Sequence, residues 1–274
     1  MGTVKQLMTD PELFLDELDI ATEATLDHEF DLRFEEWKAR GSSNLIRSSS
    51  LGTCIRQAYY SYFDNVERTP VSDPVARRRM FLGFVNEETM GRILARIPGK
   101  THGLKSEEQN EFPIHLEMTS KAKIEFGATT DFVKEYDVDH PLAKHKKAYV
   151  PLELKSTEVY KWKDFTYWKY HLKQILLWIY IAKTLGYYVP YGLLLYTRRS
   201  SMEMKTVLIP VDSKFSKMGR VIESYEHWKP YIQDLAIRLQ EGILAKRVPE
   251  LPNDVPQYIC KSCPHLGKCN NNID

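Results

Sequence analysis

The sequence predicts an α/β protein in which a mixed sheet is flanked by helices. Two observations lead to this class: segments of alternating apolar and polar residues favour strands, and longer amphipathic segments favour helices. In chain order these are strands at 109–118, 121–134 and 150–157, a helix at 164–185, strands at 191–197 and 204–210, and a helix at 213–245. Strands and helices in this order are typical of an α/β core.

The residues on either side of this core differ from it in pattern. Residues 1–48 are acidic and mostly helical in pattern. A helix carrying Cys54 is predicted after residues 48–50, and a longer helix runs from 73 to about 97, where Pro and Gly end it. The predicted organisation is therefore a helical N-terminal extension at 1–48, a core at 49–250 and a cysteine-containing C-terminal segment at 251–274.

Composition narrows the class of protein further. The 274 residues are 43% hydrophobic and 27% charged, with a formal net charge of +1, as is usual for globular proteins. No apolar run approaches the ~20 residues that cross a bilayer, and the N-terminus lacks the pattern of a signal peptide. We therefore expect a cytoplasmic protein with no membrane partner, and the net charge by itself predicts no polyanionic ligand.

Two charged residues interrupt the apolar strand predicted at 150–157. Because side chains alternate along a strand, Glu153 and Lys155 share one face of the sheet. Asp131 lies in the preceding predicted strand, so its carboxylate can approach Glu153 if the strands pair. Two carboxylates and the backbone carbonyl of Leu154 are ligands that suit Mg²⁺ or Mn²⁺. The residues therefore predict a metal site with Lys155 beside it; the alternative is a structural salt bridge.

Three cysteines are crowded at the C-terminus in the pattern Cys260-x₂-Cys263-Pro-x₄-Cys269. The Cys-Pro step is typical of ferredoxin-type ligation of a 4Fe–4S cluster. Cys54 is the remaining cysteine, and it would complete a set of four ligands by joining the two ends of the chain. A four-cysteine zinc site, or a zinc site that uses His265 as the fourth ligand, is the alternative.

Aromatic and basic residues alternate directly after the charged strand. Aromatic rings stack on unpaired bases and lysines contact phosphates, which is a combination that binds single-stranded DNA. Trp168 and Tyr170 are expected to be the most exposed rings; packing of half of these rings in the core is the alternative. The segment comprises Tyr160, Lys161, Trp162, Lys163, Phe165, Tyr167, Trp168, Lys169, Tyr170 and Lys173.

Taken together, these motifs resemble those of the PD-(D/E)xK nucleases, in their RecB-like branch. Asp131 matches the second motif of that family, Glu153 and Lys155 match the third, and Gln174 matches the start of the fourth. The resemblance covers about residues 50–270. It implies a restriction-endonuclease-like core and metal-dependent hydrolysis of phosphodiesters, with these four residues in the catalytic site.

The chain departs from the family pattern at three positions. Trp178 stands where the family has tyrosine, Ala128 stands where it has glycine, and Glu87 stands where it has a metal-binding histidine. We expect Glu87 to replace the histidine as a metal ligand, because Gly83 and Gly91, each one turn away, would let the helix approach the sheet closely. Glu88 is the rival for that role, and the alternative for both is a solvated helix charge.

The four cysteines add a resemblance to iron–sulfur nucleases, most of all the CRISPR-associated exonucleases that are fourth in the Cas naming series. That resemblance implies an exonuclease that acts on single-stranded DNA ends and trims fragments for a CRISPR integrase, which would be its partner. Two alternatives are a viral or mobile-element nuclease of the same family, serving recombination or replication, and a nuclease-inactive DNA-binding module.

Overall fold

A computed structural model gives the fold. It describes residues 28, 45–63, 74–104, 112–139, 141–143, 146–159, 161–201, 203–211, 221–222, 224–253, 255–261, 263 and 265–270. The chain divides into two compact units, residues 1–42 with 67–85 and residues 43–66 with 86–274. The residues predicted to carry chemistry belong to the second unit. The helices predicted within residues 1–45 lie outside the described residues, and the boundaries at 48 and 250 stay a prediction.

Helices account for much of the described chain and are numbered here in order. They are α1 (Ser48–Thr53), α2 (Ile55–Phe63), α3 (Pro74–Ala95), α4 (Lys169–Thr184), α5 (Tyr225–Ala245), α6 (Gln257–Lys261) and α7 (Leu266–Asn270). Cys54 separates α1 from α2 as a single extended residue, with φ −159° and ψ 127°. None of the helices in the described ranges has the length and apolar character that crossing a membrane requires.

The strands within the described residues form two mixed sheets. They are β1 (Ile46–Arg47), β2 (Lys100–His102), β3 (His115–Thr119), β4 (Glu125–Thr129), β5 (Phe132–Asp137), β6 (Lys147–Thr157), β7 (Tyr191–Arg198), β8 (Met204–Pro210) and β9 (Val221–Ile222). The smaller sheet has the order β1-β4-β3, and the larger has the order β2-β5-β6-β7-β8-β9. Strand β6 pairs antiparallel with β5 and parallel with β7, and α4 is the connection between the parallel pair. The predicted α/β class, with mixed sheets flanked by helices, is confirmed.

The predicted strand at 121–134 is wrong, because the chain breaks there into β4 and β5, which belong to different sheets. Apolar residues alternate on both sides of the break, so periodicity alone runs through it. At this point side-chain hydrogen bonds replace the backbone hydrogen bonds of the strand ladder. Thr130 Oγ1 donates to the Leu152 carbonyl at 2.8 Å, and the Asp131 carboxylate accepts from the Leu154 N–H. The break places Asp131 at the start of β5.

Strand β6 is buried between two helical layers. On one face, Leu152 and Leu154 pack with Met90 and Leu94 of α3. On the other face α4 comes so close that a Cβ added to Gly192 of β7 would lie 2.9 Å from Ile179. Side chains alternate along the strand, so Glu153 and Lys155 lie on the α4 face.

The C-terminal end of α3 is fixed to β5 by a buried ammonium group. Lys134 Nζ donates to the carbonyl oxygens of Leu94 at 3.3 Å, Ile97 at 2.9 Å and Gly99 at 2.7 Å, and to Thr101 Oγ1 at 2.8 Å. Leu94 lies in the last turn of α3, and Ile97 and Gly99 lie just beyond it, so these bonds place a positive charge at the negative end of the helix dipole. The last turn of α3 is thereby fixed to β5, the strand that directly follows Asp131.

Candidate functional site

Asp131 and Glu153 come together at the point where the β5–β6 ladder ends. The last pair of that ladder is Phe132 with Leu152, so the next position on each strand is Asp131 opposite Glu153. Asp131 Oδ2 accepts a hydrogen bond from the Leu154 N–H at 2.6 Å. The structure therefore brings together the two carboxylates that the sequence predicts as neighbours.

Gly103 supports Asp131 from behind, and sequence reasoning did not identify it. Its φ is +90°, and a Cβ added there would lie 2.3 Å from the Asp131 carbonyl oxygen. Positive φ and so close an approach both require glycine. A lone glycine in a polar segment carries no sign of such a contact, because the contact is made to a residue far along the chain.

Glu153 and Lys155 form a close ion pair on the α4 face of β6. Lys155 Nζ lies 2.5 Å from Glu153 Oε1, and the two side chains are 24% and 6% exposed respectively. A buried carboxylate requires such a partner, since desolvation of an isolated charge is costly. The ion pair offsets the cost of burying the Glu153 carboxylate, while the side chain of Lys155 remains partly accessible to solvent.

The site carries more negative than positive charge. Burial raises the pKa of Asp131 well above its ordinary value, repulsion from Glu153 and Glu87 raises it further, and Lys155 and the Leu154 N–H offset only part of this. For Lys155 burial lowers the pKa, but attraction by Glu153, Asp131 and Glu87 outweighs it, so the pKa is raised. One ammonium thus faces three carboxylates, and a divalent cation would relieve the excess charge.

The backbone carbonyl of Leu154 points toward the same carboxylates. In a strand, the N–H and C=O of one residue face the same neighbouring strand. The Leu154 N–H donates to Asp131, beyond the last pair of the β5–β6 ladder. Its carbonyl oxygen therefore faces the Asp131 side of β6, where the sequence analysis placed it as a ligand.

Glu87 and Glu88 have different surroundings in the structure. Glu87 is half-buried and its charge acts on both Asp131 and Lys155. Glu88 is on the solvent side, where its carboxylate pairs with Arg92 at 2.6 Å and its side chain is 56% exposed. Gly91 lies against β5, where an added Cβ would be 3.2 Å from the ring of Phe132. Of the two glutamates, Glu87 is the one that the structure brings to the candidate site.

The two residues of the fourth motif are set into the helical layer. The Gln174 side chain packs on α1, where a Cβ added to Gly52 would lie 3.1 Å from its Cγ. Trp178 is 1% exposed, and its indole N–H donates to the Ile114 carbonyl at 3.0 Å. The ring of Trp178, which stands where the family has tyrosine, therefore lies in the core.

The predicted DNA-binding residues separate into two groups. Lys173 is buried, and its ammonium lies 5.1 Å from the ring centroid of Tyr231, so its prediction as a DNA contact is wrong. Helical periodicity explains the error, because Lys173 lies on the face of α4 that meets α5. Trp168 and Tyr170 are half-buried with their rings stacked at 6.1 Å, and Lys169 between them is exposed.

His171 is a further polar residue beside the site that the sequence analysis did not name. Its Nδ1 lies 3.0 Å from the hydroxyl of Tyr196. Burial, together with the positive charge of Lys155, strongly lowers the pKa of His171, so the imidazole is neutral. The signal available in the sequence was its position on α4, one turn before Gln174.

The four cysteines approach one another, although Cys54 is remote in sequence. All four are free thiols. Burial raises the pKa of Cys54, and Cys260 and Cys263 raise it further by repulsion. Burial likewise raises the pKa of Cys263, with contributions from Cys269 and Cys260. Thiols that interact in this way are neighbours, so the fold brings Cys54 to the C-terminal three.

Hydrogen-bond donors surround these sulfur atoms. The backbone N–H groups of Arg56 and Gln57, in the first turn of α2, donate to Cys54, and the His265 N–H donates to Cys263. The guanidinium of Arg56 donates to Cys269 Sγ at 3.5 Å. Such donors stabilise thiolates, which are the form that binds a metal cluster. The donor set therefore fits a cluster or metal ion held by four thiolates.

His265 is engaged elsewhere. Its Nε2 lies 3.1 Å from Ser61 Oγ, and its ring stacks on Tyr60 with centroids 5.6 Å apart. Because this ring nitrogen faces a hydroxyl group on α2, the surroundings favour a structural role for His265 in joining α2 to the C-terminal segment.

No assembled metal centre is present in the described part of the chain, where no three or more histidine, cysteine, aspartate or glutamate side chains form a group that could hold a metal ion. Within the carboxylate group, however, the charges of neighbouring residues shift the pKa of Asp131. Within the thiol group, neighbouring cysteines likewise shift the pKa values of Cys54 and Cys263. Each group therefore consists of neighbouring residues, and the side chains of each would have to turn toward one another to coordinate an ion or a cluster.

Comparisons with known proteins give a likeness in fold. No protein-family model matches the chain, and no curated protein matches it. Among solved structures, the chain is similar to the protein in the crystal structure of SSO0001, with a TM-score of 0.50 and 14% sequence identity. The match covers 93% of this chain and 98% of that one. At this identity the likeness shows a shared fold alone.

Proposed function

We propose that this chain is a metal-dependent DNA exonuclease that acts on single-stranded ends and carries a 4Fe–4S cluster. The observation that carries the proposal is the position of Asp131 opposite Glu153 at the end of the β5–β6 ladder, with Lys155 paired to Glu153. An ion pair alone would account for Glu153 and Lys155. It would not account for a second and a third carboxylate directed at the same pair.

We further infer that the large sheet is the PD-(D/E)xK core. The order of elements supports this: α3 precedes β5, β6 carries Glu153 and Lys155, and α4 connects β6 to the parallel strand β7. Glu153 and Lys155 lie on β6 and Gln174 lies on α4, while Asp131 directly precedes β5. A packed salt bridge in an unrelated sheet would not require that agreement.

Asp131, Glu153, the Leu154 carbonyl and Glu87 are the groups that would hold Mg²⁺ or Mn²⁺, both of which prefer oxygen ligands. When bound, such a cation neutralises charge on the phosphate and lowers the pKa of a water molecule. Lys155 has a separate task. Its ammonium is held by Glu153 and its side chain is partly exposed, so we assign it to orient the attacking water and to stabilise charge on the phosphate.

The cluster would be held by Cys54, Cys260, Cys263 and Cys269. Its role in this chain is structural, since it joins the α1–α2 junction to the C-terminal segment and contributes its binding energy to folding. Gly52 and Gln174 then connect the cluster to the active site, because α1 packs against α4 through their contact. Iron and sulfide contents near four per chain after anaerobic purification would support the cluster. One zinc ion per chain would instead show that the four cysteines form a zinc site.

Single-stranded DNA is the substrate that the surface near the site favours. Lys161, Lys163 and Lys169 are exposed, and the half-buried rings of Trp168 and Tyr170 lie beside them. Lysines contact the backbone and exposed ring faces stack on unpaired bases. A place in CRISPR adaptation, with an integrase as partner, rests on the family resemblance alone.

The test is to replace each catalytic residue and to measure cleavage and binding separately. We expect Asp131→Ala, Glu153→Ala and Lys155→Ala each to abolish metal-dependent degradation of single-stranded DNA. Binding of the same DNA should stay within a few fold, because many lysines and rings supply the affinity. Degradation by any of these variants at a rate comparable to the parent would disprove the assignment.

A further inference from the structure

We infer that His171 is a further substrate-binding residue, whose Nε2 donates a hydrogen bond to a phosphate oxygen of the DNA backbone beside Lys155. The inference rests on the proposed function in that it takes the nucleic acid to be the ligand. It adds a contact from α4 to those that β5 and β6 provide.

The strand register places the support of His171 next to Lys155. In the parallel pair of β6 and β7, Lys155 and Tyr196 are direct partners, so their side chains project to the same face. Tyr196 is fully buried, and its hydroxyl lies 3.0 Å from His171 Nδ1. The same hydroxyl oxygen accepts the Trp168 N–H at 3.1 Å. The imidazole is thus fixed to the strand adjacent to Lys155.

The remaining ring nitrogen is directed away from this support. Within the described part of the chain, His171 Nε2 makes no hydrogen bond, whereas Nδ1 is engaged by Tyr196. A neutral imidazole has one donor and one acceptor nitrogen. We assign the Tyr196 hydroxyl as the donor to Nδ1, because its oxygen already accepts the Trp168 N–H; the hydrogen of the imidazole is then on Nε2, which acts as a donor.

The surroundings of the ring select a neutral donor. The positive charge of Lys155 and the burial of the ring both oppose a proton on His171. Tyr170 and Trp168 contact the ring, with centroids 4.2 Å and 5.4 Å away, and limit its rotation. A phosphate drawn to Lys155 therefore meets a second donor of fixed direction that adds no further charge to the site.

A neutral contact has a signature that a charged one lacks. Each lysine that neutralises a phosphate on a single strand releases counterions and contributes about −0.7 to the slope of log K against log salt concentration. A hydrogen bond from a neutral imidazole contributes affinity without changing that slope. Salt dependence thus separates His171 from Lys155 even though both contact phosphate.

The experiment measures binding of single-stranded DNA with Ca²⁺ in place of Mg²⁺, so that a cation with oxygen ligands offsets the charge of the carboxylates, at several salt concentrations and at pH 6.0 and 8.5. We expect His171→Phe to lose about 3- to 10-fold in DNA affinity, which corresponds to one neutral hydrogen bond. The loss should be the same at both pH values, and the slope of log K against log salt concentration should equal that of the parent. His171→Gln should recover most of the loss, because its amide nitrogen reaches the position of Nε2. Lys155→Ala should instead reduce the slope by about 0.7.

Tyr196→Phe tests the support of the ring. It should weaken binding less than His171→Phe, and it should add nothing when His171→Phe is already present, since it acts through the imidazole. Melting temperatures of all variants identify any that fail to fold, and His171→Gln remains informative if His171→Phe is unstable.

Three results would overturn the inference: parent-like binding by His171→Phe, a slope reduced as in Lys155→Ala, or binding by His171→Gln as weak as by His171→Phe. Nuclease assays keep this outcome apart from the proposed function. If His171→Phe loses affinity but the parent degrades no DNA, the His171 contact is supported and the nuclease proposal is disproved. If the parent binds no DNA, both the His171 contact and the nuclease proposal are disproved.

Discussion

Gly103→Ala is the substitution that best isolates the placement of Asp131. The added methyl group would begin 2.3 Å from the Asp131 carbonyl oxygen, and heavy atoms essentially never approach a Cβ closer than 3.0 Å. The carbonyl must therefore retreat by about 0.7 Å, and the Asp131 side chain moves with it. A displacement near 1 Å in an active site costs on the order of 100-fold in rate. We expect a loss of that size in metal-dependent DNA degradation.

The same substitution also strains the backbone, so its effect on stability must be separated from its effect on the site. An alanine at φ +90° costs about 1–3 kcal/mol. Gly99→Ala is the matched control: its φ is +94°, and the added methyl would lie 2.7 Å from the Tyr136 ring, at the other end of β5. Both variants should melt at lower temperature by similar amounts.

The assay is the initial rate of single-stranded DNA degradation in saturating Mg²⁺, well below both melting temperatures. Gly99→Ala should stay within a few fold of the parent, while Gly103→Ala falls about 100-fold. Equal activity in the two variants, whether both high or both low, would refute the reasoning that links Gly103 to the position of Asp131.

Three further sets of substitutions test the predicted roles of individual residues. Cys54→Ser should lose iron and visible colour as fully as Cys263→Ser, and full iron content in the Cys54 variant would assign the fourth ligand to another residue. Glu87→Ala should be nearly inactive, and Glu87→His should be active with its metal preference moved toward Mn²⁺. Glu88→Ala should lose little activity, because exposed ion pairs contribute little. Degradation rates in Mg²⁺ and Mn²⁺ test this, and loss of activity in Glu88→Ala with Glu87→Ala unharmed would show that Glu88 is the ligand. Lys173→Ala should lower the free energy of unfolding by about 1–3 kcal/mol in denaturant titrations and leave DNA affinity unchanged, and a large loss of affinity would restore it as a DNA contact.

The sequence predicted most of what depends on local pattern. The alternation of residues 150–157 placed Glu153 and Lys155 on one face, and the structure has them there as an ion pair. The predicted pairing of strands brought Asp131 opposite Glu153. These predictions worked because strand periodicity fixes side-chain direction, and charges inside an apolar strand are costly enough to require partners.

Features that depend on contacts distant in sequence were not predictable in the same way. The break between β4 and β5 is made by the side chains of Thr130 and Asp131, which replace ladder hydrogen bonds without interrupting the apolar alternation. Lys173 looks like a surface lysine in sequence, and only the packing of α5 on α4 buries it. The role of Gly103 depends on a backbone approach from a residue nearly thirty positions away.

The central claim is that Asp131 and Glu153 hold a metal ion that contacts the phosphate being cleaved. A single-stranded DNA with one phosphorothioate linkage, prepared as each of its two stereoisomers, tests this directly. Mg²⁺ binds sulfur poorly and Mn²⁺ binds it better. We expect digestion in Mg²⁺ to pause at the modified linkage for one stereoisomer, and Mn²⁺ to remove the pause. Digestion of both stereoisomers in Mg²⁺ as fast as unmodified DNA, or no degradation in either metal, would contradict it.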